Sequence, residues 1–200
     1  MASATALPTA PATPDVNAAT LDCIARFGLT KLTVEDVARA SGRSRATLYR
    51  AFPSRHDLVA SAVNAELDRL VSLLVETGCS APTLADAVTD IVVTGARELS
   101  ANGAFTFVAA HEREVLHPYL SFGGGDHFYA AAAVRLAPAF ASWCPDPARA
   151  AEWVARVGVN LLASADPAVD VTDRAAVHEY VTTFVVPGLT DPTPTPEELA

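Results

Sequence analysis

Five arginines, Arg39, Arg43, Arg45, Arg50 and Arg55, fall within residues 39–56, a stretch that contains no carboxylate. Thr47 and Tyr49 are interleaved with them. A guanidinium can grip guanine O6 and N7 through two parallel hydrogen bonds. A threonine can meet a base edge or a methyl group, and a tyrosine hydroxyl can donate to a phosphate. The chemistry open to this cluster is recognition of nucleic acid. The whole chain argues the other way, because 14 Lys and Arg against 23 Asp and Glu give a net charge of −9. Splitting the sequence removes the conflict. Residues 1–60 hold seven basic and five acidic side chains, a net of +2; residues 61–200 hold seven and eighteen, a net of −11. Phosphate attraction depends on the local field at the contact face, so one compact basic patch on an acidic protein is informative.

Other chemistries find less support. The five histidines are His56, His111, His117, His127 and His178. His111 and His117 are six apart, not the i, i+4 pair that a helix would need, and HExxH is absent. There is no GxSxG elbow, and Gly123-Gly124-Gly125 is not the GxGxxG of a phosphate cradle. Cys23, Cys79 and Cys144 lie far apart without ligand spacing and read as buried thiols in a reducing cytosol. Neither an enzyme nor a metal or cofactor site is expected.

The elements that must position the arginines are helical. Alanine occupies 40 of 200 positions, half the chain is hydrophobic and mean hydropathy is +0.25, so a sizeable helical core can be buried. No stretch approaches the roughly 20 apolar residues of a membrane span. Met1 to Pro14 is an Ala/Thr/Pro-rich tail without the pattern of a secretory signal. Val16, Ala19, Cys23, Ile24 and Phe27 then recur at helical spacing, with Gly28 as C-cap. Thr33 caps a short helix that ends near Gly42; Ser44 caps a second, from Arg45 to about Phe52, with Leu48 and Phe52 inward. Pro53-Ser54 breaks it, and a long amphipathic helix runs on to about Gly78. Further helices are expected around Leu84–Leu99, across residues 104–120 with a break at Pro118, and over Asp126–Ser142 with a bend at Pro138. Two more should start at Asp146-Pro147 and at Asp173, the last stopped by Pro187-Gly188. The expected organisation is a tail (1–13), a head (14–60), a helical body (61–189) and a second tail (190–200).

Two short helices around a turn with Gly42, flanked by a third, make a helix-turn-helix arrangement. On residues, Val16 to Leu58 resembles the N-terminal domain of TetR-family transcriptional regulators without a gap. The resemblance is carried by Gly28, by Leu32-Thr33-Val34-Glu35-Asp36-Val37-Ala38, by Ser41-Gly42, and by Ser44-Arg45-Ala46-Thr47-Leu48-Tyr49-Arg50-Ala51-Phe52-Pro53-Ser54-Arg55 and Leu58. It implies an all-α, cytoplasmic DNA-binding regulator, a homodimer whose recognition helices enter successive major grooves of a palindromic operator. It places Thr47 and Tyr49 at the DNA and Arg55 on a phosphate. Arg45 and Arg50 occupy positions that tune sequence preference, and the capping residues Thr33 and Ser44 complete the contact set. Arg43 departs from the small apolar residue usual in that turn, and is expected to reach the DNA.

Two further expectations concern the body. The stripes Trp153, Val157, Gly158, Leu161 and Val177, Tyr180, Val181, Phe184 are expected to pair with those of a second chain. Phe105, Phe107, His111, Phe128, Tyr129 and Trp143 are expected to border a pocket for a small-molecule effector that releases a repressor from DNA. The rival reading is a helical small-molecule-binding or interaction protein whose helix-turn-helix does not engage DNA.

Overall fold

Each short helix of the N-terminal region begins on a side chain suited to capping. In the computed structural model, which describes residues 15–115, 126–163 and 169–190, all regular structure is helical. Asp15 caps α1 (Val16–Lys31) by accepting the Asn17 N–H at 3.1 Å. Thr33 and Asp36 form a reciprocal capping box on α2 (Val34–Ser41), which closes on Gly42 in the left-handed conformation, φ 67°. Ser44 accepts the Thr47 N–H at 3.1 Å to start α3 (Arg45–Ala51). Ser54 and Asp57 make a second capping box on α4 (Arg55–Cys79). α1 breaks at Gly28, whose φ of 77° suits glycine and leaves Leu29 to Lys31 as a separate turn.

The head buries Ala19, Cys23, Ile24, Leu32, Val37, Ala38, Leu48 and Leu58 in one cluster. It does not close by itself. Ala104 and Val108 of α6 (Gly103–His111) belong to the same cluster, because α6 lies along α1. The boundary read near residue 60 is therefore bridged by packing.

The body comprises α5 (Leu84–Ala101), α7 (Asp126–Leu136), a 3-10 turn at Ala137–Phe140, α8 (Pro147–Ala163), α9 (Arg174–Tyr180), a π turn at Val181–Val185 and α10 (Pro187–Thr190). Its core holds Val88, Ile91, Phe140, Ala151, Val154, Val177, Val181 and Val185. α4 reaches this core closely at Gly78, where a Cβ would stand 2.7 Å from Ala139 Cβ and 2.9 Å from Ile91 Cδ1.

Several expectations change in detail. The helix read over Asp126–Ser142 stops at Leu136, and Pro138 sits in the 3-10 turn. Pro187 opens a final turn instead of ending the last helix, as proline at a first helical position can. The helix expected over 104–120 leaves helical geometry at Glu112; Pro118, Gly123 to Gly125 and both expected tails, except for Thr190, fall outside the described residues. Cys23 and Cys144 are buried, but Cys79 is exposed at the end of α4. No helix among the described residues is long and apolar enough to cross a membrane.

Candidate nucleic-acid interface

α3 is anchored by a single buried side chain, Leu48. The rest of its surface is free to carry contacts. Arg45, Tyr49 and Arg50 are exposed, Tyr49 to 53%. Thr47 is half-buried, with its hydroxyl 2.8 Å from the Ser44 hydroxyl. Arg43 is exposed in the turn, its backbone N–H bonded to the Ala38 carbonyl at 3.0 Å. Arg55 opens α4 and donates its Nε–H to the Leu32 carbonyl at 2.8 Å, which ties it to the loop before α2.

The fold brings carboxylates to the arginine stretch that the sequence lacks there. Glu35 of α2 pairs with Arg45, and Asp36 stands 4.0 Å from Arg39. Both partners of the Arg45–Glu35 pair are more than half exposed. Such a pair contributes about 0–1 kcal/mol. That is small beside the roughly 1–3 kcal/mol of a good guanine contact. The pair therefore holds Arg45 only loosely.

A second polar cluster joins head to body, and sequence reasoning missed it. Glu112, where α6 ends, is buried and accepts the Leu29 N–H at 2.7 Å and the Thr30 N–H at 3.0 Å. Burial pushes its carboxyl up, but the hydrogen bonds from Thr30 and Leu29 and the charge of Arg55 together outweigh burial. They hold it below the usual carboxylate range. Nothing local in His111-Glu112-Arg113-Glu114 reveals a partner more than 80 positions away. At the other end of α6, Asn102 caps the helix and donates to Glu66 of α4 at 2.9 Å.

The residues expected around a pocket divide between two clusters. Phe105 and Phe107 are half-buried on α6, against the head, and Phe107 lies 4.7 Å ring to ring from the exposed His111. Tyr129 is buried on α7 beneath Arg156, whose guanidinium carbon is 4.3 Å from the ring centroid, and Trp143 packs on the body's core. The side chain of Phe128 lies outside the described residues. Two open clefts flank α4 and α1. One, of about 350 Å³, is lined by Val71, Ser72, Val75, Glu76 and Arg135, and the other, of about 240 Å³, lies between α1 and the start of α6. None of the five whose side chains are described lines either.

The expected dimer stripes also divide. Leu161, Val177 and Val181 are buried in the chain's own core. Trp153 and Phe184 are 46% and 66% exposed, and Val157, Gly158 and Tyr180 are half-buried. Tyr180 and Phe184 lie 5.3 Å apart ring to ring, and a Cβ on Gly188 would be 4.0 Å from Trp153 Nε1. α8 thus exposes Trp153 near Gly188, and the C-terminal turns expose Phe184 beside Tyr180.

Residues 17–62 match the model for bacterial regulatory proteins of the tetR family. No curated protein matches the chain. Among solved structures it is similar to the TetR family repressor AlkX from Dietzia sp., implicated in biodegradation of n-alkanes, at 20% identity and a TM-score of 0.64. That similarity covers 86% of this chain and 94% of the repressor. It is also similar to a putative transcriptional regulator from Streptomyces coelicolor A3(2) (18% identity, TM-score 0.52, 84% and 94% covered). A transcriptional regulator from Rhodococcus sp. Rha1 gives 18% identity and a TM-score of 0.54, with 89% and 97% covered. These identities speak for the fold alone, whereas the match over 17–62 falls on the residues that build the helix-turn-helix. Residues 17–62, which build the helix-turn-helix, thus match the tetR-family model, and the chain as a whole has the overall fold of a TetR-family repressor.

Proposed function

We propose that the protein is a transcriptional repressor that binds a palindromic operator as a homodimer in the cytoplasm and is released by a small molecule bound to its body. The observation that carries the DNA part is the exposed face of α3, with Arg45, Thr47, Tyr49 and Arg50 presented around the buried Leu48. Arg43 and Arg55 flank that face at the turn and at the start of α4, where they reach phosphates. Thr33 and Ser44, at the starts of α2 and α3, approach the backbone from the same side. Homodimerisation is supported by the aromatics Trp153, Tyr180 and Phe184, with Val157 and Gly158, since large exposed apolar patches mark interfaces. A two-fold pair of heads would read half-sites about 34–36 Å apart.

For the effector, Tyr129 and Trp143 are the body-side candidates, and Phe105, Phe107, His111 and Phe128 form the set nearer the α6 end. Selection from a random DNA pool, read by sequencing, tests the reading. A palindrome should emerge, and its affinity should fall with salt at a log–log slope of about −0.9 per phosphate contact. Recovery of no sequence would overturn it. A thermal-shift screen of small aromatic and aliphatic molecules tests release: a stabilising compound must weaken operator binding, and the operator must weaken that compound by the same factor.

A further inference from the structure

Among the described residues, Glu112 is the one charged side chain that is buried, and the DNA-contact face makes no direct use of it. Its two hydrogen bonds go to the N–H groups that follow the break at Gly28. Donors in the first turn after a helix break lack i−4 partners in helical register, so an outside acceptor is well placed to satisfy them. Gly28 leaves no space for anything larger. A Cβ there would stand 2.7 Å from both Glu112 Oε1 and Phe107 Cε1. The same short loop is held again at Leu32, by Arg55, and at Thr33, by Asp36. The path from α1 into α2 is thus determined by a carboxylate from α6 and a guanidinium from α4.

We propose that Glu112 is a positioning residue for DNA recognition: its carboxylate, holding Leu29 and Thr30, sets the angle at which the head, and with it α3, sits on the body. The inference rests on the DNA-binding reading above. Charge-assisted hydrogen bonds of this kind are short and stronger than neutral ones. A buried carboxylate that loses its donors is strongly disfavoured. The end of α6 therefore has two arrangements, clasped with both bonds made or released to water, and few between. Arg55 links the clasp to DNA, since its charge helps keep Glu112 ionised and it stands at the start of α4, where a phosphate is expected.

Glu112→Gln tests this, because the amide keeps the shape but offers one acceptor oxygen and turns an NH2 group toward an N–H. Amide hydrogen exchange without DNA should show Leu29 and Thr30 protected in the wild type and about tenfold less protected in the variant. On DNA recovered from the random pool, with the half-site spacing varied, the wild type should prefer one spacing. The variant should lose that preference while keeping its base preference within each half-site. A merely structural role would weaken every spacing alike. Retained protection in the variant, or an intact spacing preference, overturns the proposal; a wild type that selects no DNA overturns the DNA-binding reading instead. Should the variant not fold, the wild type suffices. The Leu29 and Thr30 amide shifts must titrate with the Glu112 carboxyl in NMR spectra taken from neutral to acid pH, and shifts that stay fixed as it protonates overturn the clasp.

Discussion

The head and the body present their surfaces in opposite ways. On the head, the side chains that matter are polar and exposed, spread over a seven-residue helix held by one leucine and by caps. On the body, the outer face is aromatic, while the helices beneath are held by buried valines and a phenylalanine. A DNA face must offer hydrogen bonds to a highly charged, hydrated partner, so it gains nothing from apolar area. A face that meets another protein gains chiefly from apolar area and desolvated aromatic anchors. The difference explains why a helix as short as α3 persists: its stability comes from Leu48 beneath and Ser44 in front, not from its contact residues.

The sharpest way to break this comparison is to put the same charge on either side of the body's surface. Val181→Arg buries an unpaired guanidinium at a site with no exposure and should abolish folding, seen as loss of the helical signal in circular dichroism. Phe184→Arg, at 66% exposure, should leave the chain folded but monomeric by light scattering at micromolar concentration. A folded Val181→Arg protein would mean that the last turns are held differently. Next in size is Leu48→Ala. It should cost about 2–5 kcal/mol in urea unfolding and abolish DNA binding even where the protein remains folded, because Leu48 is the one fully buried side chain of α3 and Phe52 at its end packs only partly on the core.

Substitutions on the contact face should act on DNA and hardly on stability. Arg45→Ala should cost about 1–3 kcal/mol of operator affinity and relax base preference at one position per half-site. Arg55→Ala should weaken all sequences alike; it should also speed exchange at Thr30, since it frees the loop at Leu32. The smallest effect is expected from Glu35→Gln. Removing an exposed partner of Arg45 should change stability by no more than about 1 kcal/mol. DNA affinity should rise for every sequence, since a negative charge leaves the phosphate-facing side. Weaker binding confined to particular bases would instead make Glu35 a base acceptor, and the face would read DNA with both signs of charge.

Much of the head was legible in the sequence. Thr33 and Ser44, like Asp173 in the body, cap helices where their types and neighbours said they would. Gly28 and Gly42, the described residues at positive φ, mark the two breaks read from them. Caps and breaks depend on backbone groups within about four positions, so the local sequence carries the information. The arginine cluster was legible for the same reason: exposure on a short helix follows from which single position is apolar.

What only the tertiary structure decided depends on partners distant in sequence. The stripe on the last helices could be read as apolar, but nothing local separates Val181, buried in its own chain, from Phe184, turned outward one helical turn later. Periodicity identifies a face, and packing decides what covers it. The arginine stretch looked free of acids until α2 brought Glu35 beside Arg45. Phe107, read as a pocket residue, faces Gly28 because α6 crosses α1. Glu112, one acid among 23 in the composition, joins head to body because the fold set it against the Leu29 and Thr30 N–H groups. Local chemistry is written in neighbouring residues, whereas the energy of a buried charge depends on atoms that only folding brings within 3 Å.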